Sequence, residues 1–249
     1  NGSLGNLPGN TDRIFITRLS NNLPLEYEGA TAAQITSYAN ENLVWETSEQ
    51  LDIGADFRVF DSKLSLSADY YVKTTRDLIL NDGSLITPGS AGFNFSPFNA
   101  GTIRNSGFEF EIAYNDETES GLRYGINFNL STLKNEVTQI NFVPEGTSIN
   151  GAGAPQNPDG ITRFTEGLPV WYFFGFQTNG IDPNTGQINI VDTNGDGNID
   201  STDKTFIGSP HPDVLFGGSF DFTYKNWDML IRYQGTIGNE IIATYHQPS

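Results

Sequence analysis

The residues best placed to do chemistry form one acidic loop, Asp192-Thr193-Asn194-Gly195-Asp196-Gly197-Asn198-Ile199-Asp200-Ser201-Thr202-Asp203. Its spacing follows the twelve-residue calcium-loop template. Asp192, Asn194 and Asp196 supply oxygens at positions 1, 3 and 5, and Gly197 at position 6 permits the sharp turn. Asn198 offers its backbone carbonyl, Asp200 occupies position 9, and Ile199 is expected to anchor the loop to apolar neighbours. Position 12 is Asp203 instead of Glu, a shorter arm for bidentate ligation, and no helical pattern precedes Asp192. A structural Ca²⁺ that stiffens the loop is the expected cofactor. The competing reading is an Asp/Asn/Gly turn without metal.

No other constellation points to catalysis. His211 and His246 are the only histidines, too isolated for a histidine-based site. Glu109 and Glu111 stand two apart on one strand face and could mimic a glycosidase pair, but a polar-lined wall explains them better. There is no G-x-S-x-G elbow, P-loop or Rossmann glycine run. Trp171, Tyr172, Phe173 and Phe174 would either stack on sugar rings or pack as a small loop core. No catalytic residue is therefore assigned, and substrate-binding residues stay unknown.

The elements that carry these groups are strands. Leu51, Ile53, Ala55, Phe57 and Val59 alternate with Asp52, Gly54, Asp56 and Arg58. After Asp61-Ser62-Lys63 come Leu64, Leu66, Ala68, Tyr70 and Val72, alternating with polar residues. Period-two alternation gives each strand one apolar and one polar face. The same pattern returns at Phe108–Tyr114, at Leu122–Leu130, and at Val214–Tyr224 with Trp227–Ile237. The last two are joined by Lys225-Asn226, with Asn226 expected to take the positive φ of a tight hairpin. Six strands are predicted, at 43–60, 63–80, 103–115, 121–134, 213–225 and 227–238. The connections run short, long, short, very long, short, leaving loops at 1–42, 81–102 and 135–212. The first of these carries an apolar patch at Ile14, Phe15 and Ile16, and the last is read as irregular.

Composition excludes several classes. The 249 residues carry 13 Lys plus Arg against 30 Asp plus Glu, a formal charge of -17, which disfavours nucleic acid. Cysteine is absent, so there is neither a disulfide framework nor a thiolate metal site. No apolar run is long enough for a membrane-spanning helix. A membrane β-barrel needs only strands of about ten alternating residues, so that absence does not bear on it.

Large apolar side chains each contribute roughly 1.5–3 kcal/mol on burial, so a dozen left wet would outweigh a net stability of about 5–15 kcal/mol. The apolar face must therefore meet a second sheet or lipid. The opposite face carries Asp52, Asp56, Arg58, Asp69, Lys73, Glu109, Glu111, Arg123, Asn127, Asn129, Asp221, Arg232 and Gln234. It suits either the lumen of a large barrel or the wet side of a sandwich. Trp45, Tyr70, Tyr114, Tyr224 and Trp227 at strand ends would suit an interfacial girdle. Six strands cannot close a barrel with a polar lumen, and lipid does not tolerate an open sheet edge, so a membrane sheet would continue beyond both ends.

The run LVWETSEQLDIGADFRVFDSKLSLSADYYVKTTRDLI resembles the SusC/RagA family of TonB-dependent outer-membrane transporters from Bacteroidetes. The matching positions are Trp45-Glu46, Gln50, Asp69-Tyr70-Tyr71, Lys73 and Asp77-Leu78-Ile79. To these are added Asn99-Ala100-Gly101, Arg104-Asn105-Ser106-Gly107-Phe108-Glu109, Asp196 to Asp200, Asp203-Lys204, Ile207 to Pro210, Pro212-Asp213, Phe216-Gly217-Gly218, Gln234-Gly235 and Gly238-Asn239-Glu240. Each is weak alone; their order over about 200 residues is specific. The resemblance implies an all-β chain, part of a large antiparallel transmembrane barrel with long extracellular loops. The N-terminal plug, the TonB box and the final strands lie outside this sequence. It further implies import, not enzymatic catalysis: a glycan or oligopeptide crosses the bacterial outer membrane under a SusD-like surface lipoprotein, powered by the TonB-ExbB-ExbD complex. The rival is a secreted, calcium-stabilised β-sandwich that binds carbohydrate or acts as an adhesin.

Overall fold

The computed structural model describes residues 18–20, 26–27, 30–31, 34–37, 40–80, 98–141, 146–151 and 160–242, with side chains from residue 40 onward. The patch Ile14–Ile16, His246, and most of the predicted loops 1–42 and 81–102 lie outside these residues. Four short strands come first: β1 (Arg18–Ser20), β2 (Glu26–Tyr27), β3 (Ala30–Thr31) and β4 (Gln34–Ser37). The long ones follow as β5 (Thr47–Val59), β6 (Leu64–Leu80), β7 (Phe98–Glu117), β8 (Arg123–Thr132) and β9 (Lys134–Ile140). Then come β10 (Ile149–Asn150), β11 (Thr162–Phe164), β12 (Tyr172–Phe176), β13 (Thr178–Ile181), β14 (Ile188–Ile190) and β15 (Lys204–Gly208). The last pair is β16 (Val214–Tyr224) and β17 (Trp227–Ile237).

The principal sheet has the order β17-β16-β8-β7-β6-β5, with β9 also pairing with β7. Its registers put like with like. Phe110, Leu130, Phe216 and Gly235 form one row, and Ile112, Phe128, Gly218 and Tyr233 the next. A third row is Tyr114, Ile126, Phe220 and Ile231. One step along, Glu111, Asn129, Gly217 and Gln234 share a row on the other face, followed by Ala113, Asn127, Ser219 and Arg232. Where the apolar rows contain glycine, an aromatic ring fills the place: a Cβ at Gly235 would meet the Phe216 ring, and one at Gly218 the Tyr233 ring.

Among the described residues nothing buries the apolar face. Phe57, Phe108 and Ile231 are 60%, 62% and 52% exposed, and none of the alternating apolar residues of this sheet is buried. The buried apolar residues, Phe98, Ala100, Val137, Ile149, Phe164, Val170 and Tyr172, lie outside those rows. A sandwich would bury its apolar face against a second sheet, and among the described residues there is none to do so. β8, β16 and β17, at 10, 11 and 11 residues, have the length of tilted membrane-crossing strands.

Three short turns stand at one end of the sheet. At 60–63, Asp61 and Ser62 take φ of 55° and 68°, and the Lys63 amide donates to the Phe60 carbonyl at 3.0 Å. At 118–122 the Thr118 amide donates to the Leu122 carbonyl at 2.9 Å. These two turns are tied by the Lys63–Asp116 ion pair at 2.6 Å. In the third turn Lys225, not Asn226, takes positive φ, 54°. The first central residue of a two-residue hairpin loop must do so to match strand twist. Tyr70 also departs from the girdle pattern, lying mid-strand with its ring 4.8 Å from that of Phe108.

Parts of all three predicted loops are strand, β1 to β4 lying within 1–42. β7 begins at Phe98, and Phe98–Thr102 are buried throughout, so no alternation marks them. The predicted irregular stretch 135–212 holds most of β9 together with β10 to β15, strands of two to five residues that are too short to show a period.

The chain divides into two compact units, 1–49 with 74–103 and 138–145, and 50–73 with 104–137 and 146–249. In the first, Asp77 takes φ of 56° within β6. Side chains bond the backbone beside it. Asn99 Nδ2 donates to the carbonyls of Asp77 and Val44, both at 2.8 Å, and its Oδ1 accepts from the Val44 amide at 3.0 Å. Glu46 Oε1 accepts from the Ile79 amide at 2.7 Å. Asn99→Ala would strip partners from part-buried backbone groups, at about 1–3 kcal/mol. The expected outcome is a lower denaturation midpoint, with faster hydrogen exchange around Val44 and Asp77 and no change at 214–237.

In the second unit the four-stranded sheet β10-β11-β12-β15 has its own core of Ile149, Phe164 and Tyr172. It is tethered by side chains: Asn135 Nδ2 donates to Asn105 Oδ1 at 2.7 Å, and Asn135 Oδ1 accepts from the Val170 amide at 2.7 Å. Glu240 Oε2 accepts from the Ser209 amide at 2.7 Å, and the His211 ring pairs with the Val170 carbonyl at 2.9 Å.

Candidate functional site: a polar sheet face and an acidic loop

The polar face of β8, β16 and β17 is concave. A hollow of about 860 Å³ is lined by Asn127, Asn129, Ser219, Arg232, Gln234 and Thr236, with Gly217 at its floor. Gly217 bears no side chain, and a Cβ there would lie 3.2 Å from Asn129 Oδ1. Alternation placed the polar residues on one face; the concavity depends on Gly217 and on cross-strand register, which no single strand reveals. These groups can donate and accept hydrogen bonds, but there is no nucleophile–base pair among them. Glu109 and Glu111 share this face and are already engaged, with Ser131 Oγ at 3.5 Å and Asn127 Nδ2 at 2.8 Å.

The aromatic run 171–174 is packed. Tyr172 is buried and stacks near Phe206 at 5.3 Å, Trp171 lies 5.5 Å from Phe164, and the Arg163 guanidinium sits 4.6 Å over the Phe174 ring. A small loop core, not a sugar platform, is what these rings form.

The acidic loop is closed on itself. Asp192 accepts from the amides of Gly195 and Gly197 at 2.7 and 2.8 Å, and Asn194 Oδ1 from the Asp196 amide at 2.8 Å. Asp196 accepts from the Asn198 amide at 2.8 Å and Asp200 from the Thr202 amide at 2.8 Å. Gly195 and Gly197 take φ of 74° and 86°, conformations that glycine adopts without strain. Asp203 is fully buried and accepts from Asp200 at 2.9 Å and Thr193 at 2.9 Å; with Asp200 it caps the short 3₁₀ turn Ser201–Asp203. Among the described residues no three carboxylate or imidazole groups gather in a metal-holding cluster. Ile199 is 49% exposed, so it does not anchor the loop to apolar neighbours as the template suggests. Anchorage comes from Asp203 instead.

The amide of Asp200, with those of Thr193 and Asn194, holds the Asp203 carboxyl below its ordinary 3.8 against the opposing effect of desolvation. A depressed folded-state value gives stability that is present above the unfolded value and lost as pH falls through the folded one. Hydrogen exchange at 192–203 should therefore stay slow from neutral pH down to the ordinary carboxylate range and quicken only below it.

An antiparallel sheet with a bare apolar face, a polar concave face, short turns at one end and, at the other, a long connection that carries β10 to β15 is a sector of a membrane β-barrel wall. Residues 3–233 match the family model described as "TonB dependent receptor-like, beta-barrel". The chain belongs to that family, whose members are outer-membrane barrels. It is 33% identical over 227 residues to TonB-dependent receptor P3 of Formosa agariphila, covering 84% of this chain and 22% of that protein. It is 28% identical over 212 residues to TonB-dependent receptor SusC of Bacteroides thetaiotaomicron, covering 81% and 20%. Among solved structures, the RagAB peptide importer in an open-open state matches with a TM-score of 0.72 and 22% identity, covering 93% of this chain and 24% of that one. The chain thus spans about a fifth of the length of the curated relatives it matches. Both of those relatives bear the name TonB-dependent receptor.

Proposed function

We propose that these residues form part of the wall of a TonB-driven importer that carries a bulky nutrient, a glycan or oligopeptide, across the outer membrane. The observation that carries this reading is the register-aligned division of β8, β16 and β17 into a bare apolar face and a concave hydrogen-bonding face. A SusD-like surface lipoprotein would close the outer mouth and TonB-ExbB-ExbD would supply the energy, as the kinship with SusC and RagAB suggests. The short turns would face the periplasm and the predicted loops 81–102 and 135–212 the exterior. The test uses the full-length protein in its own membrane. Labelled oligosaccharides and oligopeptides are offered to intact cells, and uptake of one class should vanish on deletion of the gene or of TonB. Uptake unaffected by either deletion would end this reading. A cysteine at Ile188 should react with a membrane-impermeant maleimide in intact cells, while one at Asn226 should not.

The acidic loop is proposed to take up Ca²⁺ as a structural ion. Its donors are all hard oxygens, as that ion prefers: the side chains of Asp192, Asn194, Asp196, Asp200 and Asp203 and the carbonyl of Asn198. Bound ion would add rigidity to 192–203. Chelation of the full-length protein should then raise proteolytic cleavage within the loop, Ca²⁺ should restore protection, and Asp192→Asn combined with Asp196→Asn should abolish the response. Identical cleavage with and without chelator would leave only the metal-free turn.

A further inference from the structure

The hollow on the polar face is a trough with a direction. β8 and β17 both pair with β16, so their side chains stand on either side of it. The register sets Ser131, Leu215 and Thr236 in one row, Asn129, Gly217 and Gln234 in the next, and Asn127, Ser219 and Arg232 in the third. Leu215, Gly217 and Ser219 are thus the floor, between walls about 9.5 Å apart, two strand spacings. Along each wall successive side chains stand about 6.8 Å apart, the two-residue repeat of an extended chain. Gly217, without a side chain, lets the Asn129 amide lean in over the floor.

The walls carry free hydrogen-bonding groups. Among the described residues the side chains of Asn129, Gln234 and Arg232 make no hydrogen bond, while Asn127 is held by Glu111 and Thr236 by Asn239. Arg123, on the same face, pairs with Glu117 at 3.3 Å; Arg232 forms no ion pair, although Asp221 stands one row away. A guanidinium with its planar fork free matches a carboxylate by two parallel bonds. Primary amides, which both donate and accept, match the N–H and C=O groups of a peptide main chain.

A glycan is the poorer fit. Sugar rings are gripped by aromatic faces laid against their C–H groups, and no trough position is aromatic; Phe216 and Tyr233 border the hollow but belong to the apolar rows. A polyanionic glycan would in addition face Glu109 and Glu111 on the neighbouring β7. Gln234 and Thr236 occupy the half of β17 away from the 225–226 turn. On the importer reading that is the outer half of the wall, where a ligand arriving from outside is met.

We propose that the trough over β16 takes an extended oligopeptide, its main-chain amide groups bonded by Asn129 and Gln234 and its terminal carboxylate by Arg232. This inference rests on the importer reading and narrows its two nutrient classes to one.

The experiment uses the full-length protein extracted from its own outer membrane with whatever co-purifies. Labelled hexapeptides are offered as free acids and as C-terminal amides, beside neutral and uronate oligosaccharides. Free acids should bind about tenfold more tightly than amides, and Arg232→Gln should erase that ratio by weakening the acids alone. Arg232→Lys, which keeps the charge and loses the fork, should retain part of it. Heat-modifiable migration of both variants should match wild type, and the wild-type ratio is decisive even if a variant fails to fold. A benzophenone amino acid at position 234 should cross-link the peptide. Equal binding of acids and amides, an unchanged ratio in Arg232→Gln, or an adduct of position 234 only with another part of the same chain overturns the subsite. Binding of oligosaccharides alone also overturns it and leaves the importer reading standing. Binding of neither class, with cellular uptake indifferent to TonB, overturns both.

Discussion

Phe220→Arg is expected to leave the full-length barrel unable to reach its folded, heat-modifiable form in a lipid bilayer, whereas Ser219→Arg should fold nearly as well as wild type. The two positions are neighbours on β16 and differ in face. Phe220 sits in the row of Tyr114, Ile126 and Ile231, and Ser219 beside Asn127 and Arg232. An arginine on the lipid face near the bilayer midplane costs about 2–4 kcal/mol. That is a large share of a net stability of about 5–15 kcal/mol. On the polar face the same guanidinium keeps its water, with Asn127 within reach, and like-charge repulsion from Arg232 is the only opposing effect. The ratio of folded to unfolded band in semi-native electrophoresis, or urea midpoints in vesicles, reads the difference.

Gly107→Val should be nearly as damaging, for a reason of backbone geometry. A Cβ at this position would meet the Thr132 carbonyl, which is backbone and cannot swing aside, and would lie 2.9 Å from Tyr71 Oη. Gly107 is buried where β8 ends beside β7; Thr132 Oγ1 there accepts from the Phe108 amide at 2.8 Å, and Tyr71 Oη donates to the Thr132 carbonyl at 3.3 Å. To admit a side chain, the two strands must separate and give up these bonds. Overpacking of a tight contact typically costs about 1–3 kcal/mol, and the lost hydrogen bonds add to it. The expected result is a protein that assembles poorly and shows accelerated exchange at Phe108 and Leu133. Gly121→Ala, whose Cβ would meet nothing within 4 Å in an exposed turn, should be far milder despite its φ of 81°.

Legibility in the sequence followed the number of environments a strand faces. Residues 51–59 and 214–224 meet an apolar medium on one side and water on the other, so they alternate and can be read. Phe98–Thr102 are buried throughout, and Phe-Asn-Ala-Gly-Thr carries no period. β10 to β15 are too short for one. The motif positions that suggested the family, Trp45-Glu46, Asp77-Leu78-Ile79 and Asn99-Ala100, gave no hint of why they occur together. Their contacts join residues 33 and 22 positions apart, Glu46 with Ile79 and Asn99 with Asp77, beside the positive φ of Asp77. In the acidic loop, oxygen-bearing residues and glycines were visible from spacing. That Asp203 would be the buried anchor and Ile199 exposed was not, because burial depends on what the rest of the chain packs against the loop.

The face assignment of the sheet is the claim on which the rest depends, and nitroxide scanning along β16 in the full-length, bilayer-embedded protein tests it most directly. Spin labels at 216, 218, 220 and 222 should collide with dissolved oxygen and be shielded from a polar relaxation agent. Labels at 217, 219 and 221 should show the reverse, giving period two over the strand. Uniform access to the polar agent at all seven positions, or the opposite phase, would contradict the barrel-wall account.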